Sequence, residues 1–391
     1  MAGRSGPSRT LACILVGLGA FLLAAAVLIP TYTVGKLKKT PLDLEVTTVA
    51  EGIGDVLDSK SLTAGKAVVN NNVPLVAQRY VTVVDPSDAE KITVQAGQTL
   101  RRTDKQGDTG LLTASVDTVT LDRVSSMPIQ DPIGSIQTQP DKPADEVEHT
   151  GLQYKWPFDA EQQAYPYFDI NSRSTHDINF VEETEINGLK VYHYNQKVEP
   201  VDLSKVVASP TNKLTLPAAT WGVEGGDAPV TMTRWYANER DTWVDPVTGV
   251  VVKGQEKLYQ YYARTADKPE VTVIKATLPF NEDTIEYQIG QAKDGADKLS
   301  MFGRTLPIIL GILGLISLIA GIFLGVRGGS GPKTPAAANG ADTTPSGPAH
   351  ESYDSGNAET EQFPRHDWTS DKTEEFPAVD TRDQEPPTTR L

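Results

Sequence analysis

Between residues 31 and 280 apolar and polar side chains alternate with a period of two in run after run. The segments 43–50, 76–84, 90–96, 111–121, 177–186, 189–198, 230–237, 256–264 and 270–278 are rich in Val, Ile, Thr and Tyr, side chains that fit a half-buried pleated surface. The pattern predicts a strand in each and a mainly β unit over 31–280. Asn187-Gly188 between two such runs predicts a type I′ hairpin, whose two central residues both need positive φ. In "WVDPVTGVVV" (243–252) Pro246 presets one turn residue and Gly249 supplies a left-handed one, so a second hairpin is predicted there. Between Ser125 and Thr150 the alternation stops, and Pro128, Pro132, Pro140 and Pro143 remove backbone donors that a central strand needs. That stretch reads as a surface loop or a linker between two lobes.

The period changes after residue 280. Asn281 is placed to cap a helix, and Ile285, Ile289, Ala292, Ala296 and Leu299 recur at three- and four-residue spacing, one face of a helix over 281–305. Such a stalk either packs its stripe on the β unit or pairs with a second copy. Two apolar runs without a charge, Leu11–Ile29 and Leu306–Val326, are each close to the roughly 20 residues a helix needs to cross a bilayer core. They predict transmembrane helices over 11–30 and 306–326. Arg4, Arg9 and the small residues Ala24, Ala25 and Ala26 fit a cleaved export signal, but the apolar run continues to Pro30, which favours an uncleaved anchor. The flanking Lys and Arg are balanced across both runs. The export-like start places residues 1–10 and 327–391 in the cytoplasm and the main domain outside the plasma membrane.

Charge and cysteine content narrow the class. Of the net charge of −15, residues 1–30 carry +2 and residues 327–391 carry −6, which leaves −11 for the middle. A surface of that sign repels nucleic acid, whose phosphates require clustered Lys and Arg. Cys13 is the one cysteine and lies in the first apolar run; with no disulfide available, the outer domain must hold together by burial. The tail after residue 327 is rich in Gly, Pro, Thr, Asp and Glu and buries too little apolar surface to fold. Its EQFP and EEFP segments around Trp368 can dock on a cytoplasmic partner, and Thr360, Thr369 and Thr373 sit in acidic context where phosphorylation would add charge.

The search for chemistry finds no catalytic constellation, no cofactor fingerprint and no metal-ligand spacing. His149, His176 and His193 are scattered and lack cysteine partners, and no nucleophile elbow or phosphate-cradling loop occurs. The feature that stands out is "GLQYKWPFDAEQQAYPYFD" (151–169), with Tyr154, Trp156, Phe158, Tyr165, Tyr167 and Phe168 in a chain that is 7% aromatic. These rings either build a β core or line a cavity in a barrel wide enough to hold a ligand. The candidate ligand-binding residues are Trp156, Phe158, Tyr165, Tyr167 and, from another segment, Trp235.

The segments "KWPFDAEQQAYPYFD", "NFVEETEINGLKVYHYNQKV" and "TWVDPVTGVVVKGQEKLYQYY", with the two flanking anchors, resemble a family of envelope proteins of mycolate-bearing actinobacteria. Its members are described either as of unknown function or as PorA-type porins, and the resemblance runs from about Ala12 to Val326. It implies a periplasmic, barrel-like β domain tethered to the plasma membrane, with apolar cavities suited to a lipid. It also implies a part in lipomannan and lipoarabinomannan maturation or mycolate-lipid trafficking, and no catalytic residue is carried over. The resulting expectation is a non-enzymatic protein that binds a membrane lipid or lipoglycan, shielding acyl chains at about 0.8 kcal/mol per buried CH₂. The alternative is a scaffold for an envelope lipid transporter or glycosyltransferase. A porin ranks lower on this reading, because two helices per chain enclose no pore without oligomerising and the strands lack the regular lipid-facing band of an outer-membrane barrel, and an enzyme acting on envelope glycans ranks lower as well.

Overall fold

The structure is a computed structural model and describes residues 9–327. The expected acidic tail, with Trp368, Thr360, Thr369 and Thr373, lies outside the described residues, as does Arg4. Helix α1 (Arg9–Leu37) leads into strand β1 (Glu45–Leu57), a short helix α2 (Ser59–Thr63), and strands β2 (Val69–Val84), β3 (Lys91–Arg102) and β4 (Leu111–Asp122). Three very short strands follow, β5 (Pro128–Ile129), β6 (Ser135–Gln137) and β7 (Asp145–Glu146). Then come β8 (Tyr165–Asp169), β9 (Ser174–Ile186), β10 (Leu189–Asp202), β11 (Lys213–Pro217), a single turn α3 (Ala218–Trp221), β12 (Pro229–Val244), β13 (Val251–Ala263) and β14 (Val271–Pro279). The chain ends its described part in helices α4 (Glu282–Ser300) and α5 (Leu306–Arg327), joined by a π-helical stretch, Met301–Thr305.

All the strands belong to one antiparallel sheet of order β7-β6-β4-β3-β2-β1-β14-β13-β12-β10-β9-β8, with β5 and β11 attached beside β4 and β12. The nine strands expected from alternation are present, most of them longer than their apolar runs. Asn187 and Gly188, at φ 47° and 75°, close the β9–β10 hairpin, where Ile186 faces Leu189. The turn at Pro246 closes β12 onto β13. The expected barrel is not formed, because the sheet does not close. Its two ends are β7, two residues long, and β8, and the chain between them runs as irregular backbone, bonded to one end through Val147 N–H donating to Gly134 O and to the other through Leu152 N–H donating to Pro166 O. The prolines between 128 and 143 explain this, since each removes a ladder donor. That segment is also more than a loop, for it adds three short strands to the sheet edge.

The sheet curves, and alternation sorts its faces. On the convex side stand exposed charges such as Lys197, Lys257 and Lys275, so this face meets water and not hydrocarbon. On the concave side apolar residues collect into cores. One, with Val56, Val73, Leu75, Leu258 and Ile274, lies under β1, β2, β13 and β14. Another, with Leu152, Trp156, Tyr167, Ile178 and Tyr194, lies under β8–β10.

Helix α4 is capped by Asn281, whose side chain accepts from Thr284 N–H, the interaction that satisfies an orphan donor at a helix start. Of the two expectations for its stripe, packing on the sheet is the one realised. Ile285, Ile289 and Ala292 are buried against Val191 and Val252, each of the two isoleucines contributing about 1.5–3 kcal/mol of burial. Gln288 adds a hydrogen bond to Val251 O at 2.9 Å.

Helices α1 and α5 are both long and apolar enough to cross a membrane, and they pack backbone to backbone. A Cβ on Gly19 would lie 2.6 Å from Leu318 N and 2.8 Å from Gly314 O, so glycine is required for this approach. Ser317 Oγ donates to Leu15 O at 2.9 Å, and large side chains such as Phe21, Leu28, Ile308 and Ile316 face outward.

Candidate functional site

Beneath the concave face, beside the packed cores, lies a cavity of about 670 Å³. Strand alternation builds its walls. Val46, Thr48 and Ala50 of β1, Ala77, Arg79 and Val81 of β2, and Gly254, Glu256 and Leu258 of β13 occupy inward positions, as side chains two apart on a strand must. At the other extreme the wall is made by Lys36 and Leu37 at the end of α1 and by Lys298 and Leu299 at the end of α4, where the chain enters its apolar helices.

Charged side chains stand deep in this wall. Arg240 of β12 is buried and donates through Nη2 to Asp169 Oδ2 at 3.1 Å, through Nε to Glu256 Oε1 at 3.0 Å and through Nη1 to Gln196 Oε1 at 2.5 Å. Tyr236 OH donates to the same Asp169 oxygen at 2.7 Å, and the guanidinium lies over the Tyr167 ring, 5.2 Å from its centroid. Burial alone would raise the Glu256 carboxyl, but Arg240 and Arg79 outweigh it and hold it below its ordinary value. Burial likewise opposes the Arg240 charge, and Glu256, Tyr167 and Asp169 reverse the sign, so it stays protonated.

Arg79 is less fully matched. Its Nη2 donates to Gln98 Oε1 at 3.2 Å and lies 4.0 Å from Glu256, while its Nε is buried without a partner. Nearby, Asp117 sits fully buried between three groups, His149 Nε2 at 2.9 Å, Gln153 Nε2 at 2.7 Å and the Tyr154 hydroxyl, which donates to it. Burial, reinforced by Asp117, pushes the Tyr154 hydroxyl well above its ordinary value. Lys155 donates to Trp156 O at 3.0 Å and lies over the Phe158 ring, 3.7 Å from its centroid. Burial brings its ammonium down to about 7, against a smaller opposing pull from Asp245.

The aromatic residues singled out in the sequence divide between core and cavity. Residues 154–163 form no strand, so their rings do not alternate. Trp156 is fully buried against Tyr167 and Tyr194, ring centroids 5.3 and 5.4 Å away. It is held there because its backbone N–H donates to Gly249 O at 2.9 Å. Gly249 has φ 73°, and a Cβ on it would meet Trp156 O at 2.1 Å, so the turn glycine read from the sequence also admits the tryptophan. Tyr165 packs edge-on to Tyr194. Phe158 and Tyr167 reach the cavity wall. Trp235 stands apart on β12, its indole N–H donating to Ala263 O at 3.3 Å.

Arg79, Lys155, Arg240 and Glu256 escaped the sequence reading. Three of them carried a legible signal. Arg79 falls in phase with Val73, Leu75 and Val81, Glu256 with Val252 and Leu258, and Arg240 with Met232 and Tyr236, so each is a charge on the inward parity of its strand. Among the described residues no group of three or more His, Cys, Asp or Glu is placed to hold a metal ion.

A family model described as "Porin PorA" matches residues 11–323. Two relatives carry the same name. One, from Corynebacterium resistens, is 32% identical over 400 residues, covering 82% of this chain and 97% of its own length. The other, from Corynebacterium amycolatum, is 30% identical over 377 residues, with 80% and 97% covered. These matches overturn the expectation of a non-porin lipid- or lipoglycan-binding protein of envelope assembly, and they give no support to the transporter or glycosyltransferase scaffold. The two-helix argument against a porin holds for one copy of the chain and leaves an oligomer open. Over most of its length, this chain belongs to the PorA porin family.

Proposed function

We propose that the chain serves solute passage at the cell envelope. The curved sheet stands on the outer side of the plasma membrane as a vestibule, and the helix pairs of several copies assemble the membrane passage. The observation that carries this reading is the reach of the cavity. Its wall runs from Arg79, Arg240 and Glu256 inside the sheet to Lys36 and Lys298 at the membrane ends of α1 and α4, so a solute held in the vestibule is delivered beside the helices. Assembly is needed because α1 and α5 touch through their backbones at Gly19 and Gly314 and leave no room between them. The convex face, with its exposed charges, stays in water, which assigns the membrane to the helices.

The purified full chain, added to a planar lipid bilayer, is expected to produce stepwise ion conductance. Widening the closest helix contact with Gly19→Leu is expected to abolish the steps. A folded wild-type chain, verified by circular dichroism, that inserts into the bilayer and never raises its conductance would overturn the proposal.

A further inference from the structure

The open side of the sheet is spanned by a strap, residues 147–156. Val147 N–H donates to Gly134 O at 2.8 Å on the side of β6 and β7, and Leu152 N–H donates to Pro166 O at 2.8 Å on the side of β8. The strap is also wall, since Gln153, Tyr154 and Lys155 line the cavity. Its attachment to β4 is narrow. Among the described residues every hydrogen bond between the strap and β4 ends on one group, the Asp117 carboxylate, which accepts from His149 Nε2 on Oδ1 and from Gln153 Nε2 and the Tyr154 hydroxyl on Oδ2.

The geometry at His149 fixes its proton count. Nδ1 lies 2.8 Å from Val147 O and Nε2 lies 2.9 Å from Asp117 Oδ1. A backbone carbonyl only accepts, and so does an ionised carboxylate, so both ring nitrogens donate and the ring is an imidazolium. The three donors that converge on Asp117 keep the negative charge there. Ring and carboxylate are both 0% exposed, so solvent does not reach the contact. The ring has little room to turn away, because a Cβ on Gly134 would already meet Nδ1 at 2.3 Å and the Phe168 ring lies 4.3 Å off, centroid to centroid. Few charged or titratable groups face the pair. The strap adds Tyr154, and β2 adds Arg79, whose guanidinium lies 5.7 Å from the Tyr154 ring centroid. Glu148 is exposed, Gln130 donates to the His149 carbonyl, and β8 presents only the Phe168 ring. Burial, reinforced by Asp117, pushes the Tyr154 hydroxyl well above its ordinary value, so around neutral pH the proton free to move is the one on the imidazole.

We infer that His149 and Asp117 form a proton-operated latch on the strap, fastened while the imidazole carries both protons and released when it gives one up, so that a rise in pH opens the cavity along the seam between the two ends of the sheet. A free histidine holds its second proton only below about pH 6.5. The fastened strap requires that proton, so fastening takes one up and alkalinity loosens the strap. Loss of the proton leaves a lone pair aimed at an oxygen, Val147 O or Asp117 Oδ1, where solvent cannot relieve it, and Gln153 and Tyr154 then hold the strap to β4 alone. The latch works on the cavity wall whatever passes behind it.

Hydrogen–deuterium exchange of the full chain in a nonionic detergent, followed by mass spectrometry, tests the release. Exchange over 147–156 is expressed relative to exchange over 189–198 of β10, which cancels the chemical dependence of exchange on pH. Between about pH 6 and about pH 9 the relative protection of the strap is expected to fall by about tenfold or more, the factor that a charge-assisted hydrogen bond contributes. His149→Gln, which has no ring to titrate, is expected to start loosened and to lose the pH slope. Isotopic labelling of the ring nitrogens of the five histidines, read by NMR, counts the protons in the wild-type chain, with His149 identified by its missing signal in the variant. Two ring N–H groups on His149 at the acidic end of the range and one at the alkaline end are expected. A single ring N–H while the strap is protected, a relative protection that stays flat across the range, or a His149→Gln chain that keeps the wild-type slope would overturn the latch.

Discussion

Under β8–β10 the inward side chains are Tyr167, Ile178 and Tyr194, and with Trp156 and Leu152 they fill the concave space. Under β1, β2, β3 and β13 the corresponding positions include Thr48, Arg79, Gln98 and Glu256, and the space stays open. Both regions obey the same period-two rule and belong to one sheet. The difference lies in what each inward position carries. Interlocking rings exclude every other occupant and stabilise by contact and burial. Charged and amide groups at equivalent positions hold one another at arm's length through hydrogen bonds, and what they cannot satisfy they leave facing the gap. Alternation therefore decides which way a side chain points, and chemistry decides whether the interior is a core or a chamber.

The filled end gives the largest expected effect. Trp156→Ala removes the centre of the ring cluster, and truncation of a fully buried aromatic costs about 3–5 kcal/mol. A matching fall in the denaturant midpoint of the full chain is expected. Retention of wild-type stability would mean that this end is no more packed than the other.

Arg240 marks the border between the two regions. Arg240→Met is expected to cost about 3 kcal/mol, the low end for breaking a buried ion pair, because Asp169 keeps donors from Tyr236, Asn171 and Ser172. Arg240→Met combined with Glu256→Gln should recover part of that loss in a double-mutant cycle. Simple additivity would show that the two charges act independently.

Lys155, in the hollow end, gives a pH signature instead of a fixed loss. Its ammonium titrates at about 7 in the folded chain, against an ordinary value of 10.5. Below pH 7 both states carry the proton and the folded state bears the cost of burying it. Between about 7 and 10.5 the unfolded state still binds the proton while the folded state has lost it, so stability rises with pH across that window. Lys155→Met is expected to flatten this rise in thermal unfolding curves. A slope unchanged by the substitution would assign it to other groups.

The comparison also shows what was legible in the sequence. The mainly β character, the helix after Asn281 and the two apolar helices were readable because each is a local periodicity, repeated over many residues. Asn187, Gly188 and Gly249 were readable because positive φ favours so few side chains. The open edge was not, since closure depends on whether residues 128–150 pair with β8, and no local pattern encodes that. The cavity was harder still. Arg79, Arg240 and Glu256 are separated by up to 177 positions of sequence numbering, and only register brings Arg240 opposite Glu256. Ring content drew attention to residues 151–169, where the rings divide between packing and lining. The porin family was not legible in the residues' chemistry, because the absence of catalytic motifs says what a chain does not do and is silent about what it does.

From Glu282 to Arg327 the backbone is helical without interruption over 46 residues, roughly 70 Å at 1.5 Å per residue. One end is bolted to the sheet at Ile285 and Ile289, and the other lies along α1. Such a strut has no hinge through which the sheet can swivel freely. Torque applied to the sheet arrives at the far end of the strut as rotation of α5 against α1, and the widened turn at Met301–Thr305 is where its helical phase can slip.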